Sequence, residues 1–225
     1  MKLYIYEHCR FCIRPRLVAN LKHMPIKLQR LAYDDKRTPI ELIGQKVLPI
    51  LELDNLNTIK ESLDICHLLD KHDKKPIIKA SYDNLTINKI MSDLSNIAKY
   101  KYLTHPRQIF HPMNKPDFPT LSAKNYFREK QEKRLGITFE QAIKDSSIYA
   151  IEVESLLNQL NIQLKSRFIT SNEFSIDDIL YFPILHELTI ASDVIRIPKN
   201  ILGYLNNIYE ITEIKPYIKF DFKKK

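Results

Sequence analysis

The first apolar run of the chain, Leu3-Tyr4-Ile5-Tyr6, has the length and composition of a strand, and after a polar interval the apolar positions from Ile13 to Leu21 recur at helical spacing. The pattern predicts a strand over Lys2 to Tyr6, a helix over Ile13 to His23, and a second strand over Ile26 to Leu31, just after Pro25. Thr38-Pro39 has the form of an N-cap followed by proline at the first helical position, opening a short helix that stops at Gly44. Pro49 to Leu53 and Asn57 to Ile59 flank the turn Asp54-Asn55-Leu56 and predict a hairpin. A helix then opens at Glu61 or Ser62, with Leu63, Cys66, His67, Leu68 and Leu69 near i, i+3, i+4 spacing. The predicted order is βαβαββα.

Near residue 75 the pattern changes. Residues 73–84 combine a charge cluster with Pro76, show no period, and read as a linker. Beyond it no βαβ unit recurs. Leu85 to Tyr102 reads as a helix, Thr104 to Thr120 as a proline-rich loop, and Ala142 to Phe168 as a long amphipathic helical stretch. Ser175 with Asp178 three residues on resembles a capping box ahead of the apolar run Ile179 to Phe182, and Pro183 predicts a kink one turn later. The expected organisation is an α/β domain over 1–72, the linker, and an all-helical domain over 85–225.

At 225 residues, with 44% hydrophobic and 28% charged residues, the composition is that of a folded globule. The N-terminus lacks the apolar core of a secretory signal, and no 18 apolar residues run together, so a cytoplasmic chain without a membrane partner is expected. Three cysteines do not make a secreted disulfide framework. The net charge of +8 is spread along the chain, and the single basic run, Lys223-Lys224-Lys225, reads as a solvated tail. No nucleic-acid partner is expected.

The chemistry concentrates between strand and helix, at Cys9-Arg10-Phe11-Cys12. Two cysteines at i and i+3 on a helix N-terminus can close a disulfide, and the free N–H groups and helix dipole there favour a thiolate. Cys9, at the helix start, is the nucleophile candidate; Cys12, inside the first turn, is placed to resolve a mixed disulfide on Cys9. Arg10 and a protonated His8 would further stabilise the thiolate. The alternative is half of a zinc site, for which Cys66, His8, His67 and His72 have no recognisable spacing. Pro49 either starts an edge strand or follows a cis bond that turns the Leu48 N–H and C=O toward an extended peptide such as glutathione. Glu61 and Ser62 read first as a helix cap and, as the second choice, as a carboxylate and ammonium site suited to a γ-glutamyl group. Cys66 reads as a small buried hydrophobe, His105 and His111 as surface loop residues, and Lys36 and Arg37 as solvated charges or partners of a carboxylate.

Met-Lys-Leu-Tyr-Ile-Tyr ahead of His8-Cys9, the second cysteine Cys12, Gly44-Gln45-Lys46 leading to Pro49-Ile50-Leu51, and Glu61-Ser62 with Asp64-Ile65 together resemble the bacterial glutaredoxin 2 type. The resemblance implies a thioredoxin-fold domain followed by a glutathione S-transferase-like helical domain. It also implies a glutathione-dependent thiol-disulfide oxidoreductase in which Cys9 attacks, Cys12 resolves, and Phe11, Leu48, Pro49, Glu61 and Ser62 bind glutathione. Glutathione would be the reductant, no metal is expected, and the partners would be disulfide-containing or glutathionylated proteins met by a monomer. Related activities on the same site are an omega-like glutathione transferase and an iron-sulfur scaffold ligated through Cys9 and glutathione. Arg10 departs from the resemblance, since that type usually carries proline after the first cysteine, and Pro15 predicts a bend or an early 3₁₀ turn.

Overall fold

The computed structural model describes residues 1–217, so the predicted basic tail at Lys223 to Lys225 lies outside the described residues. Four strands form one sheet in the order β2-β1-β3-β4: β1 is Lys2–Ile5, β2 is Lys27–Arg30, β3 is Ile50–Glu52 and β4 is Thr58–Ile59. β1 runs parallel to β2, with Leu3 opposite Leu28, and antiparallel to β3, with Leu3 opposite Leu51. A parallel neighbour needs a crossover, and α1 (Arg10–Leu21) supplies it. β3 and β4 form the predicted hairpin, whose turn places Leu56 at φ +66°.

α2 (Arg37–Ile43) starts earlier than the Thr38 cap suggests. Thr38 lies inside the helix and donates both its N–H (3.0 Å) and its hydroxyl (2.7 Å) to Asp35, so an acceptor three residues upstream does the capping. Gly44 ends the helix at φ +74°, a conformation that favours glycine, with its N–H on the Ile40 carbonyl. α3 (Ser62–Lys71) completes the βαβαββα order and packs on α1.

The rest is helical: α4 (Leu85–Asn96), α5 (Ala98–Gln108), α6 (Leu121–Leu135), α7 (Phe139–Lys144), α8 (Ser146–Gln163), α9 (Ile176–Leu188) and α10 (Lys199–Ile211). Three expectations are corrected here. The helix read over Leu85 to Tyr102 breaks at Ile97, whose extended backbone (ψ 135°) ends α4 and starts α5, so that both can pack against α8. The loop read from Thr104 begins five residues later, because α5 continues through Pro106, which close to a helix end deletes only one N–H donor. Ala142 to Phe168 is interrupted at Asp145, between α7 and α8. The Ser175–Asp178 capping box is present at the start of α9, and that helix runs through Pro183.

The irregular segment after α3 is pinned at both ends. Asp70 accepts the Ile77 N–H (2.8 Å), and Lys79 exchanges backbone hydrogen bonds with Phe174 and Ile176 ahead of α9. α1 is thereby held between α3 on one side and α9 on the other, which brings its N-terminus to the crevice between sheet and helices.

Candidate active site

Cys9 is the N-cap of α1. Its carbonyl accepts the N–H of Cys12 at 2.9 Å, a 3₁₀-type first turn, and that of Ile13 at 3.2 Å. The half-buried Cys9 sulfur is lowered to about 7 by a hydrogen bond from the Cys12 thiol, with burial opposing and the charge of His8 and the amides of Cys12 and Phe11 assisting. Cys9 is thereby the sulfur that ionises more readily near neutral pH. Cys12 is fully buried, and that burial together with its bond to Cys9 holds its thiol well above the ordinary value. Both sulfurs are in the free thiol form. One cysteine is ionisable and reachable, the other protonated and shielded.

His8 is held from the helical half of the molecule. Asp117, buried in the loop before α6, accepts the backbone N–H of Glu7 (2.9 Å), the backbone N–H of His8 (2.9 Å) and the His8 Nδ1–H (2.7 Å). The imidazole lies among Tyr6 and Phe118, both stacked on it, with Tyr33 tilted and Phe127 edge-on, at centroid distances of 5.1–5.5 Å. Burial opposes its charge, but the hydrogen bond and charge of Asp117, with Cys9, outweigh it and raise the His8 pKa.

Arg10 lies at the first position of α1, with its guanidinium 5.2 Å from the Phe11 ring and its charge acting on Tyr100 and Lys101 of α5. Its charge is therefore aimed at the helical half, while the groups that set Cys9 are Cys12, His8 and two amides. Phe11 is exposed and is flanked on its other side by Arg14, 4.8 Å away.

The Leu48-Pro49 bond is cis, and among the described residues neither the N–H nor the C=O of Leu48 has a hydrogen-bond partner. Glu61 is exposed at φ +38° as the N-cap of α3, and Ser62 is buried behind it. The Ser62 hydroxyl accepts from Arg14 Nη1 at 3.2 Å, and the buried Arg14 Nε has no partner. An open backbone edge at Leu48, a helix N-terminus at Ser62 and an under-satisfied guanidinium fit a peptide that carries a carboxylate, as glutathione does. Arg14 escaped the sequence reading, though its position three residues after Phe11 places both on one helix face.

Other residues fall elsewhere. Lys36 stands 4.8 Å over the Tyr126 ring, whereas Arg37 is exposed and paired with Glu41. Cys66 is fully buried and pushed up to about 12 by that burial, in keeping with its reading as a small hydrophobe. His105 is not a surface loop residue, while His111 does lie in the loop after α5 but is half-buried there. His105 lies on α5, its ring 5.9 Å from Phe127, and burial with nearby cations holds it at about 3, neutral; His111 is half-buried against Tyr217, with Nε2 at 2.9 Å from that carbonyl. Among the described residues no group of three or more His, Cys, Asp or Glu is arranged to hold a metal ion.

The family model for the glutaredoxin 2 C-terminal domain matches residues 86–220, and that for the glutathione S-transferase N-terminal domain matches residues 3–76. Glutaredoxin 2 of Escherichia coli K12 is 33% identical over 214 residues, 95% of this chain and 96% of its own. The crystal structure of glutaredoxin 2 from Salmonella typhimurium in complex with glutathione superposes with a TM-score of 0.88 at 31% identity, covering 96% of both chains. Glutathione transferase Omega 3C from Trametes versicolor shares the fold alone, with a TM-score of 0.59 at 11% identity over 97% of this chain and 85% of that one.

Proposed function

The chain belongs to the glutaredoxin 2 family, and on that premise we propose that it is a glutathione-dependent thiol-disulfide oxidoreductase whose chemistry resides in Cys9 and Cys12. The observation that carries the assignment of roles is the contrast between the two sulfurs, one lowered to about 7 and reachable, the other buried and protonated. Cys9 thiolate attacks one sulfur of the substrate disulfide; that S–S bond breaks, a Cys9 mixed disulfide forms, and the other sulfur departs as a thiolate that takes up a proton. Cys12 attacks the Cys9 sulfur, and its proton leaves with the second substrate thiol. The Cys9–Cys12 disulfide is returned to the dithiol by two glutathione molecules, which leave as glutathione disulfide, so two electrons pass from glutathione to the substrate.

Leu48 beside the cis Pro49 offers its N–H and C=O to the glutathione backbone. Ser62 and Arg14 receive the γ-glutamyl carboxylate, Glu61 its ammonium group, and Phe11 covers the thiol. Residues 1–72 are taken as the thioredoxin-fold domain, 73–84 as the linker, and 85 onward as the helical domain. The partners are disulfide-bearing and glutathionylated proteins. A dithiol kept reduced by glutathione fits the cytoplasm, where thiols persist. The protein is read as a monomer.

Reduced protein with glutathione and glutathione reductase should turn over a small mixed disulfide at a rate followed by NADPH oxidation. Cys9→Ser should abolish turnover, and a fully active variant would sink the assignment. Cys12→Ser should keep mixed-disulfide reduction, since free glutathione can resolve the intermediate, while losing the dithiol route to protein disulfides.

A further inference from the structure

Six basic side chains lie near one another where the start of α1 and the ends of α2 face α5 and α6. Arg10 comes from the start of α1, Lys36 and Lys46 from either side of α2, Lys101 from α5, and Lys130 and Arg134 from successive turns of α6. Among the described residues none of the six takes part in an ion pair, although such pairs are common elsewhere in the chain. Lys46 reaches the Tyr33 carbonyl and stands 4.5 Å from the Tyr33 ring and 4.2 Å from that of Tyr126, on α6, so the lysines around α2 face α6 directly.

The cations work against one another. Partial burial, with Lys130 and Lys36, takes Lys46 down to about 8; partial burial, with Arg134 and Arg10, lowers Lys101. The acidic groups that face them are Asp34 and Asp35 toward Lys46 and Glu187 toward Lys101. Asp35 already accepts two hydrogen bonds from Thr38, and buried Glu187 is bonded to the Tyr100 hydroxyl (2.7 Å) and to Gln108 (3.2 Å). The crevice therefore keeps an excess of positive charge in the folded chain, an arrangement that an incoming anion relieves.

From this arrangement we propose that the crevice selects protein disulfides flanked by acidic residues, with Lys101, Lys130 and Arg134 receiving the carboxylates while Cys9 attacks the sulfur. The proposal rests on the reading of Cys9 as nucleophile and deepens it to a substrate class. An extended acidic segment fits better than a small disulfide, because the cations are distributed over several elements and those of α6 are four residues apart, about 6 Å along the axis. The exposed ring of Phe11 adds an apolar surface beside the sulfur.

The test uses the full chain and three substrates: a peptide disulfide flanked by aspartates, the same peptide with lysines in their place, and the small mixed disulfide of glutathione and β-mercaptoethanol, whose only carboxylates are those of its glutathione half. The wild type should show a kcat/KM for the acidic peptide at least about 10-fold above that for the basic one, a preference that shrinks as salt rises. Lys130→Glu combined with Arg134→Glu, both exposed positions, should erase or invert the preference while leaving the small mixed disulfide unchanged. Equal values for the two peptides in the wild type, or a preference that survives in the double variant, overturns the proposal. A wild-type chain that turns over none of the three substrates overturns the underlying reading of Cys9, and the proposal with it.

Discussion

Cys9 lies between a hydrogen-bond donor, the Cys12 thiol, and a cation, the His8 imidazolium, and both favour its ionised form. The rate at which iodoacetamide alkylates Cys9 should therefore climb through pH 7 and level off above it, because only the thiolate reacts. His8→Gln removes the cation and should move the midpoint upward by about one pH unit. Arg10→Ala should move it less, since the groups that chiefly set Cys9 are Cys12, His8 and two backbone amides. A larger shift for Arg10→Ala than for His8→Gln would reverse this ranking. The contrast marks how far the sequence could be read at this scale. The division of labour within the CxxC follows from the order of residues at a helix start, which is local information. The surroundings of Arg10 include Tyr100 and Lys101 on α5, about ninety residues away in the chain, and nothing near Arg10 announces them. His105 was misplaced for a related reason: the proline beside it signals a loop, yet Pro106 sits near the end of a helix where its missing donor costs little.

Elements whose ends carry their own chemistry were legible, and those shaped by neighbours were not. The box at Ser175 is readable because serine and aspartate three apart satisfy backbone amides at the helix start: the Ser175 side chain accepts the Asp177 N–H (3.3 Å) and Asp178 accepts that of Ser175 (2.9 Å). Ser175→Ala should cost about 1 kcal/mol, seen as a lower urea midpoint with an unchanged slope. A midpoint equal to that of the wild type would mean that Asp178, which also accepts the Ile169 N–H at 3.0 Å, carries the cap alone. The break at Ile97 has no such signature. No proline or glycine stands there, and the sequence continues in helix-compatible residues; the extended backbone at that point is imposed by packing α4 and α5 on the same partner, α8. α6 was missed because charged residues surround it on nearly every side, and its buried positions, Ala123, Phe127 and Gln131, form too thin an apolar stripe to stand out.

At the scale of the whole molecule, the helical half reaches into the site through one carboxylate. Asp117 fixes the Glu7 and His8 amides and pairs with the His8 ring, so the docking of the two halves and the acidity of Cys9 share a residue. The pair has a definite pH signature. His8 binds its proton more tightly in the folded chain than the ordinary value of 6.5. Its contribution to stability is therefore complete below about pH 6.5 and fades as pH rises through the raised value. Asp117→Asn removes the charge while keeping one oxygen that can accept an amide N–H. It should lower the thermal midpoint more at about pH 6 than at about pH 9, and at the same time move the Cys9 alkylation midpoint upward, toward that of His8→Gln. A loss of the same size at both pH values, with the alkylation profile unmoved, would mean that Asp117 acts only through the two amides. If both shifts appear together, weakening the contact between the halves and disarming the nucleophile are one event, and the helical half is part of what makes Cys9 reactive.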